Sequence, residues 1–149
     1  ITYSMPEDWT RTSDEEIKKL IEDATDLMEY SDTEKKLVEL KAVYYLLAKS
    51  QTGPNVILGS ERVIGDVSDV KYAKNLKKQL EEQETLNYVL SSVKLETIDE
   101  REFVTLEATL DNIKQKYFIY KIDKHIIYLC VTGFTNEEID EIVSNFQFN

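Results

Sequence analysis

The last fifty residues carry the clearest alternation of apolar and polar positions in the chain. It runs through three consecutive segments, Arg101–Leu110, Lys116–Ile122 and Ile126–Thr132. Alternation with a period of two residues predicts β-strands. The polar pairs Asp111-Asn112 and Asp123-Lys124 lie between these segments and are typical of tight turns, so we predict an antiparallel meander.

The strands of this meander differ in their predicted burial. The apolar residues of Arg101–Leu110 share one parity, whereas the opposite face, which includes Phe103 and Thr105, is mostly polar. This pattern predicts one buried and one solvated face. Ile126–Val131 is apolar on both faces, so we predict a central strand that is covered on each side.

Three segments carry the spacing of an amphipathic helix. Capping boxes open the first at Ser13–Glu16 and the last at Thr135–Glu138, and Asp66 or Ser68 caps the middle one. The first helix is predicted to run to about Tyr30, and Asp32 can cap a further turn or two through Leu40. The predicted inward stripes are Ile17, Leu20, Ile21, Ala24, Leu27 and Met28, then Val70, Ala73, Leu76, Lys77 and Leu80, and finally Ile139, Ile142, Val143 and Phe146.

Shorter strands complete the pattern. Lys41–Lys49 is apolar all round and fits a helix or a buried strand, although its valine and two tyrosines favour the strand. The other predicted strands are Ile1–Met5 with Ile1, Tyr3 and Met5 inward, Trp9–Thr12, Val56–Ile64, and Tyr88–Glu96 with Val89, Val93 and Leu95 inward. The elements predict an α+β fold in one domain, residues 1–149, with helices on both faces of an antiparallel sheet, an α/β/α sandwich.

The chain is acidic, with a formal net charge of −11. Such a chain repels phosphate backbones and anionic membrane surfaces, so we expect no nucleic-acid partner and no direct membrane insertion. The acidic residues are spread along the chain, which indicates a role in solubility more than an acidic face for a basic partner.

Groups that could act in catalysis are scarce. The only histidine, His125, stands at a predicted turn. Cys130 lies five residues further on, about 16 Å along a strand and on its opposite face. We therefore predict no catalytic residue, and we expect Cys130, the single cysteine, to be a buried core thiol.

The sequence also lacks motifs for metals and cofactors. One histidine and one cysteine are too few for a transition-metal site, and the glycines match neither phosphate-binding pattern. Some acidic residues near turns could offer oxygen ligands to calcium, but they do not form the Asp-x-Asp-x-Asp-Gly loop. We expect no metal and no cofactor. The acidic residues concerned are Asp66, Asp69, Asp99, Glu100 and Glu102.

The aromatic residues are the remaining candidates for function. Trp9 either plugs one end of the sheet or forms an exposed interaction patch with Tyr3 and Arg11, because tryptophan and tyrosine are enriched at binding hot spots. Five tyrosines on predicted strands are expected in or beside the core. They are Tyr44, Tyr45, Tyr117, Tyr120 and Tyr128.

Several motifs together resemble the PsbP-like fold group. They are Met5-Pro6-Glu7-Asp8-Trp9, the strand Asn55-Val56-Ile57-Leu58, the aromatic strand Tyr117-Phe118-Ile119-Tyr120, Leu129–Thr132, and Ser144-Asn145-Phe146-Gln147-Phe148. The group includes proteins that assist photosystem assembly, a Ran-binding nuclear import factor and exported bacterial lipoproteins. The lipoproteins look most similar, which implies a signal peptide, a lipidated cysteine and a polar linker before Ile1. No functional residue of the group carries over position by position.

The resemblance implies a non-enzymatic accessory or protein-binding domain, exported and held at a bacterial cell surface. Two other functions fit the composition and element order. One is a cytoplasmic acidic adaptor or secretion chaperone that binds a basic partner. The other is a small ligand-binding domain of the nuclear-transport-factor or cystatin kind, which would need a deep pocket with convergent polar groups. The oligomeric state is left open.

Overall fold

The computed structural model describes residues 1–27, 42–83 and 86–148, which form ten strands and three helices. The strands are β1 (Thr2–Tyr3), β2 (Trp9–Arg11), β3 (Ala42–Ser50), β4 (Asn55–Arg62), β5 (Val89–Leu90), β6 (Lys94–Ile98), β7 (Arg101–Leu110), β8 (Ile113–Ile122), β9 (His125–Gly133) and β10 (Phe146–Gln147). The helices are α1 (Asp14–Leu27), α2 (Asp69–Glu81) and α3 (Asn136–Ser144). The chain therefore has an α+β fold in which antiparallel sheet predominates.

The main sheet contains eight strands in the order β2-β3-β4-β9-β8-β7-β5, and β6 also pairs with β7. A second sheet pairs β1 with β10 near the two ends of the described chain. Strand β9 lies between β4 and β8, and residues of both parities along it are buried. The prediction of an antiparallel meander is confirmed, and so is the prediction that Ile126–Val131 forms a central strand. None of the described helices is both long and apolar enough to cross a bilayer.

Local sequence signals account for the element boundaries. Ser13 Oγ accepts from the amide of Glu16 at 3.2 Å, and Thr135 Oγ1 accepts from that of Glu138 at 3.1 Å. Ser68, one of two predicted caps, accepts from the amide of Lys71 at 3.1 Å and so begins α2. Residues 42–50 form a strand, as their composition favoured. The cap at Asp32 and the other predictions for residues 28–41 lie outside the described residues.

Apolar side chains of the described residues gather into two separate cores. Neighbouring residues of one strand join different cores, as Phe103 and Val104 do on β7, because successive side chains point to opposite faces. The larger core comprises Ala48, Val56, Leu58, Phe103, Phe118, Tyr120, Leu129, Val131, Ile139, Ile142, Val143, Phe146 and Phe148. The smaller core comprises Ala73, Val104, Ile119 and Ile126, with Val70, Tyr72 and Leu76 of α2 packed against it.

The prediction that β7 has one solvated face was wrong. Phe103 and Thr105 are 1% and 2% exposed. The edge of the Phe103 ring meets the ring of Phe148, with 4.9 Å between their centroids. Phe148 thus covers a face of β7 that the local alternation predicted to be exposed to solvent.

Tyr88–Glu96 does not form the predicted single strand. Its residues divide between β5 and β6, both of which pair with β7. Val89 and Leu95 are 72% and 60% exposed, and only Val93 packs against the smaller core. The prediction failed because both strands lie at a border of the sheet, where no described element covers them.

Several other residues predicted to be inward are exposed. Ile1 and Met5 flank the two-residue strand β1 and stand outside it, and Leu20 of α1 and Tyr45 of β3 are also exposed. Phe146 is buried as predicted, but it lies in β10 and not on α3, which ends at Ser144. The spacing of apolar residues predicts which side of an element faces inward. It does not predict whether another element covers that side.

Candidate interaction site

The small sheet brings Tyr3 beside Trp9 at one end of the molecule. Their ring centroids are 6.5 Å apart with planes at 72°, and Tyr3 also stacks on Phe146 at 4.3 Å. Both rings pack against the larger core and remain partly exposed. Tyr3 Oη is buried and has no hydrogen-bond partner among the described residues; burial, followed by the charge of Asp8, raises its pKa.

Trp9 forms one wall of a small cleft of about 220 Å³, which we call the Trp9 cleft. No lysine or arginine lines it, and its three acidic residues make no ion pair with any described residue. Glu138 uses one carboxylate oxygen to accept from the amide of Phe134 at 2.7 Å. The apolar walls are Trp9, Pro6, Pro54 and Ile142, and the acidic residues are Asp8, Glu138 and Glu141.

Arg11, the third residue of the predicted patch, makes its contact elsewhere. Its Nη2 donates to the carbonyl oxygen of Tyr45 at 3.3 Å. The structure therefore brings Tyr3 and Trp9 into contact, while the Arg11 guanidinium lies against the neighbouring strand β3.

A largely but not fully buried lysine is a feature that the sequence analysis missed. Lys116 Nζ lies 2.9 Å from Glu96 Oε1 and 3.9 Å from Glu107 Oε1, and the side chain is 13% exposed. The same nitrogen is 5.1 Å from the ring centroid of Phe118. Lys116 shares its parity with Phe118 and Tyr120, and that pattern could have indicated an inward position.

Comparisons with known proteins bear on the fold. No family model matches the sequence, and no curated protein matches it either. The solved structure of cyanobacterial PsbP (CyanoP) from Synechocystis sp. PCC 6803 is similar over 99% of this chain and 85% of that chain, with a TM-score of 0.59 and 8% identity. The chain has a PsbP-like fold.

A second solved structure is LpqN, described as involved in cell envelope biogenesis of Mycobacterium tuberculosis. It is similar over 97% of the PsbP-like chain and 76% of its own, with a TM-score of 0.46 and 12% identity. At 8% identity, the likeness to cyanobacterial PsbP shows an arrangement of elements and no activity. The predicted resemblance to the PsbP-like group is confirmed at the level of fold.

The ion pair between Lys116 and Glu96 of the PsbP-like chain contributes to a lowered pKa of Glu96. Burial acts to raise the pKa of Glu96, but hydrogen bonds from Thr105 and Lys116, with the charges of Lys116 and Lys94, outweigh it and hold that pKa below its usual range. Glu96 therefore stabilises the fold above its unfolded-state pKa, about 4.3. That contribution is lost as the pH falls through the lower folded-state pKa.

Replacing Lys116 by methionine is expected to lower the free energy of unfolding by about 1–2 kcal/mol at pH 7, because Glu96 loses its charged donor while remaining partly solvated. Urea unfolding at several pH values measures the effect. The difference from wild type should shrink below about pH 4, where Glu96 is protonated in the unfolded chain. Lys74→Met, at an exposed position on α2, is the control because no contact among the described residues joins it to Glu96; a Lys116 effect independent of pH would contradict the electrostatic origin.

The thiol and the imidazole of the PsbP-like chain lie apart. Cys130 is buried, and burial raises its pKa to about 12, so it is protonated at neutral pH. His125 is exposed at the first position of β9. In the described part of the chain, no three His, Cys, Asp or Glu side chains are grouped to hold a metal ion.

Three partly buried tyrosines are also held in their neutral form. Burial is the leading cause that raises the pKa values of Tyr72, Tyr117 and Tyr128. Tyr72 Oη donates to Glu61 Oε2 at 2.7 Å, which raises the pKa of Tyr72 further. These hydroxyls and the Cys130 thiol are therefore uncharged at neutral pH.

Proposed function

We propose that this PsbP-like domain is a non-catalytic accessory domain that binds another protein outside the cytoplasm, and that the Trp9 cleft holds a basic side chain of that partner. The observation that carries the proposal is the placement of a partly exposed indole beside three carboxylates that form no ion pair with any described residue. We also propose that residues 1–149 form one domain. In it, α2 and α3 cover opposite faces of the sheet, as their separate cores support.

The dimensions of the cleft favour one side chain over a larger ligand. Its volume of about 220 Å³ lies below the roughly 300–1,000 Å³ of pockets that enclose small-molecule ligands. A separate groove of about 690 Å³ lies between α1 and the β3–β4 hairpin, where Leu20, Leu47 and Ile57 line it with polar neighbours. None of the described residues closes that groove, which favours the accessory domain over a ligand-binding domain of the nuclear-transport-factor kind.

The chemistry of the Trp9 cleft favours a cation. An ammonium or guanidinium group over an indole face gains about 0.5–1 kcal/mol at an exposed site. Carboxylates at the mouth of the cleft add attraction over about one Debye length, roughly 8 Å at physiological salt. Pro6, Pro54 and Ile142 offer apolar surface to the aliphatic stem of a lysine or arginine.

The fluorescence of Trp9 tests binding in the cleft, because Trp9 is the only tryptophan of the chain. We expect a tetralysine peptide to change its emission saturably, whereas a tetraglutamate peptide does not. The variant Asp8→Asn with Glu141→Gln should bind tetralysine about fivefold more weakly, since each exposed charge pair is worth up to about 1 kcal/mol.

The control for that experiment removes the same amount of charge elsewhere. Asp66→Asn with Glu82→Gln changes two exposed acidic residues outside the cleft and should keep the wild-type affinity. Equal losses in the two double variants would reject the cleft as the binding site and leave only general charge attraction.

The location proposed for the protein rests on the motif resemblance to exported bacterial lipoproteins. Fractionation of the source cells, followed with an antibody against this domain, tests it. Recovery with the cell envelope or the medium supports the proposal. Recovery with cytoplasmic proteins would favour the acidic adaptor or secretion chaperone instead.

A further inference from the structure

Two of the three arginines of this acidic chain lie at one end of one face of the sheet, and the guanidinium of the third extends toward it from the edge strand β2. The chain has three arginines, Arg11, Arg62 and Arg101, and one histidine, His125. Arg62 stands directly opposite His125 in the β4–β9 ladder, and His125 stands opposite Ile122 in the β8–β9 ladder. Directly opposed residues share a face, so these three side chains form one row.

A second row lies two residues further along the same strands. Val43 pairs with Ser60, Ser60 with Ile127, and Ile127 with Tyr120. The guanidinium carbon of Arg101 lies 4.6 Å from the centroid of the Tyr120 ring. Residues two apart on a strand are about 7 Å apart and point the same way, so the two rows form one surface.

Tyr45 joins this surface through an irregularity in β3. The β3–β4 register shifts between Tyr44 and Leu46, and Tyr45 is the extra residue. A bulge re-aims the side chain of its extra residue. Tyr45 Oη lies 3.0 Å from Ser60 Oγ, which places the tyrosine beside the second row.

Apolar groups are exposed across this surface. Val43 is 49% exposed, Tyr45 52% and Ile122 46%. The arginine face, as we call it, consists of Arg11, Val43, Tyr45, Arg62, Arg101, Ile122 and His125, and it borders the buried Tyr120 of the larger core. Large exposed apolar groups with arginine and tyrosine among them are typical of the central part of protein interfaces.

Two of the guanidinium groups are fixed by backbone oxygens and still have donors to spare. Arg101 Nε donates to the carbonyl of Phe148 at 3.2 Å, and Arg11 Nη2 donates to that of Tyr45 at 3.3 Å. A guanidinium has five N–H donors, and no carboxylate of the described residues lies within ion-pair distance of Arg11, Arg62 or Arg101. These donors are held in place before any partner arrives, which lowers the entropy cost of binding.

We propose that the arginine face binds an acidic segment of a partner protein. Carboxylates of that segment meet the guanidinium groups in the paired geometry that arginine favours, and its apolar side chains cover Val43, Tyr45 and Ile122. Charge complementarity favours an acidic partner segment, because this face carries all three arginines of a chain whose net charge is −11. The proposal does not depend on the Trp9 cleft, which takes a group of the opposite charge.

A labelled peptide of four glutamates and two leucines is the probe, and its fluorescence anisotropy with the intact chain gives the affinity. At 150 mM salt, charges more than about 8 Å away are largely screened, so the result reports on the face itself. We expect saturable binding that weakens about tenfold in Arg11→Gln with Arg62→Gln. Arg11→Lys with Arg62→Lys keeps the charges but loses the paired geometry, and we expect an intermediate affinity.

The matched control is Lys74→Gln with Lys78→Gln, which removes two exposed positive charges from α2. This control should bind the peptide as wild type does, and the arginine variants should keep the wild-type thermal midpoint and the tetralysine response of Trp9. Wild-type affinity in the double glutamine variant, or an equal loss in the lysine control, would overturn the proposal. A dimer that forms without peptide and disappears in the double glutamine variant would also overturn it, since a second copy of the chain would then occupy the face.

Discussion

Replacing Phe103 by alanine is expected to lower the free energy of unfolding by about 4 kcal/mol, within the range of large aromatic truncations in a core. The side chain is 1% exposed. Its ring makes edge contacts with the rings of Phe118, Tyr120 and Phe148, at centroid distances of 6.0, 5.4 and 4.9 Å. Alanine would leave a cavity between two strands and the end of the chain, which cannot all move inward together.

Urea and thermal unfolding measure this effect. For a domain of this size, about 4 kcal/mol corresponds to a fall of roughly 10 °C in Tm. Leu95→Ala removes an apolar side chain that is 60% exposed, and we expect it to stay within about 0.5 kcal/mol of wild type. A Phe103→Ala cost below about 1 kcal/mol would show that Phe148 does not cover this face of β7 in solution.

The second large effect is expected from Gly59→Ala, at about 2–3 kcal/mol. Gly59 of β4 lies opposite Tyr128 of β9. A Cβ at this position would meet Tyr128 Oη at 2.6 Å, Tyr128 Cζ at 2.8 Å and the carbonyl oxygen of Val43 at 3.0 Å. The tyrosine ring is packed against the smaller core and the carbonyl belongs to the sheet, so neither can move freely.

A double-mutant cycle identifies the cause of that cost. In a Tyr128→Ala background the added methyl group has room, and we expect Gly59→Ala to cost less than half as much as in wild type. Gly65→Ala is the contrast, because Gly65 has no neighbour within 4 Å and its φ is +79°. Its cost should be the same in both backgrounds, and equal Gly59 costs in the two backgrounds would contradict a clash with Tyr128.

Local patterns were sufficient to predict most elements of this fold. The turns at Asp111 and Asp123, both with left-handed φ values, follow from residues that tolerate that conformation. The opposite placement of His125 and Cys130 follows from the strand period alone. These features depend on a few adjacent residues, which is why one sequence was enough to predict them.

Burial that depends on distant segments was not predictable in the same way. Nothing near Phe103 indicates that Phe148 covers it, and nothing near Val89 indicates that its side of β7 lies at a border of the sheet. Lys116 was missed for a related reason. Its partner Glu96 belongs to a segment that was predicted to turn Val93 and Leu95 inward, which would point Glu96 toward solvent. In each case the deciding contact joins residues far apart in the chain.

The candidate surfaces also combine features that local sequence predicts with features that depend on distant contacts. Trp9 and Tyr3 were predicted from their residue types, and the structure places their rings in contact. Arg11 was predicted to join them, but its guanidinium contacts β3. The arginine face draws on β2, β3, β4, β7, β8 and β9, and its residues have no common sequence motif.

The division of one border of the sheet between β5 and β6 has a consequence for self-association. A long, flat outermost strand is a template on which further copies can add strands and grow into fibres. Here β7 is covered by strands of two and five residues. Between them Ser91 makes the ladder irregular: its amide donates to the carbonyl of Glu107 at 2.9 Å, while its side-chain hydroxyl accepts from the amide of Glu107 at 2.9 Å. Lys94 and Glu96 add charge to the longer strand, so this border is a poor seed for amyloid-like stacking.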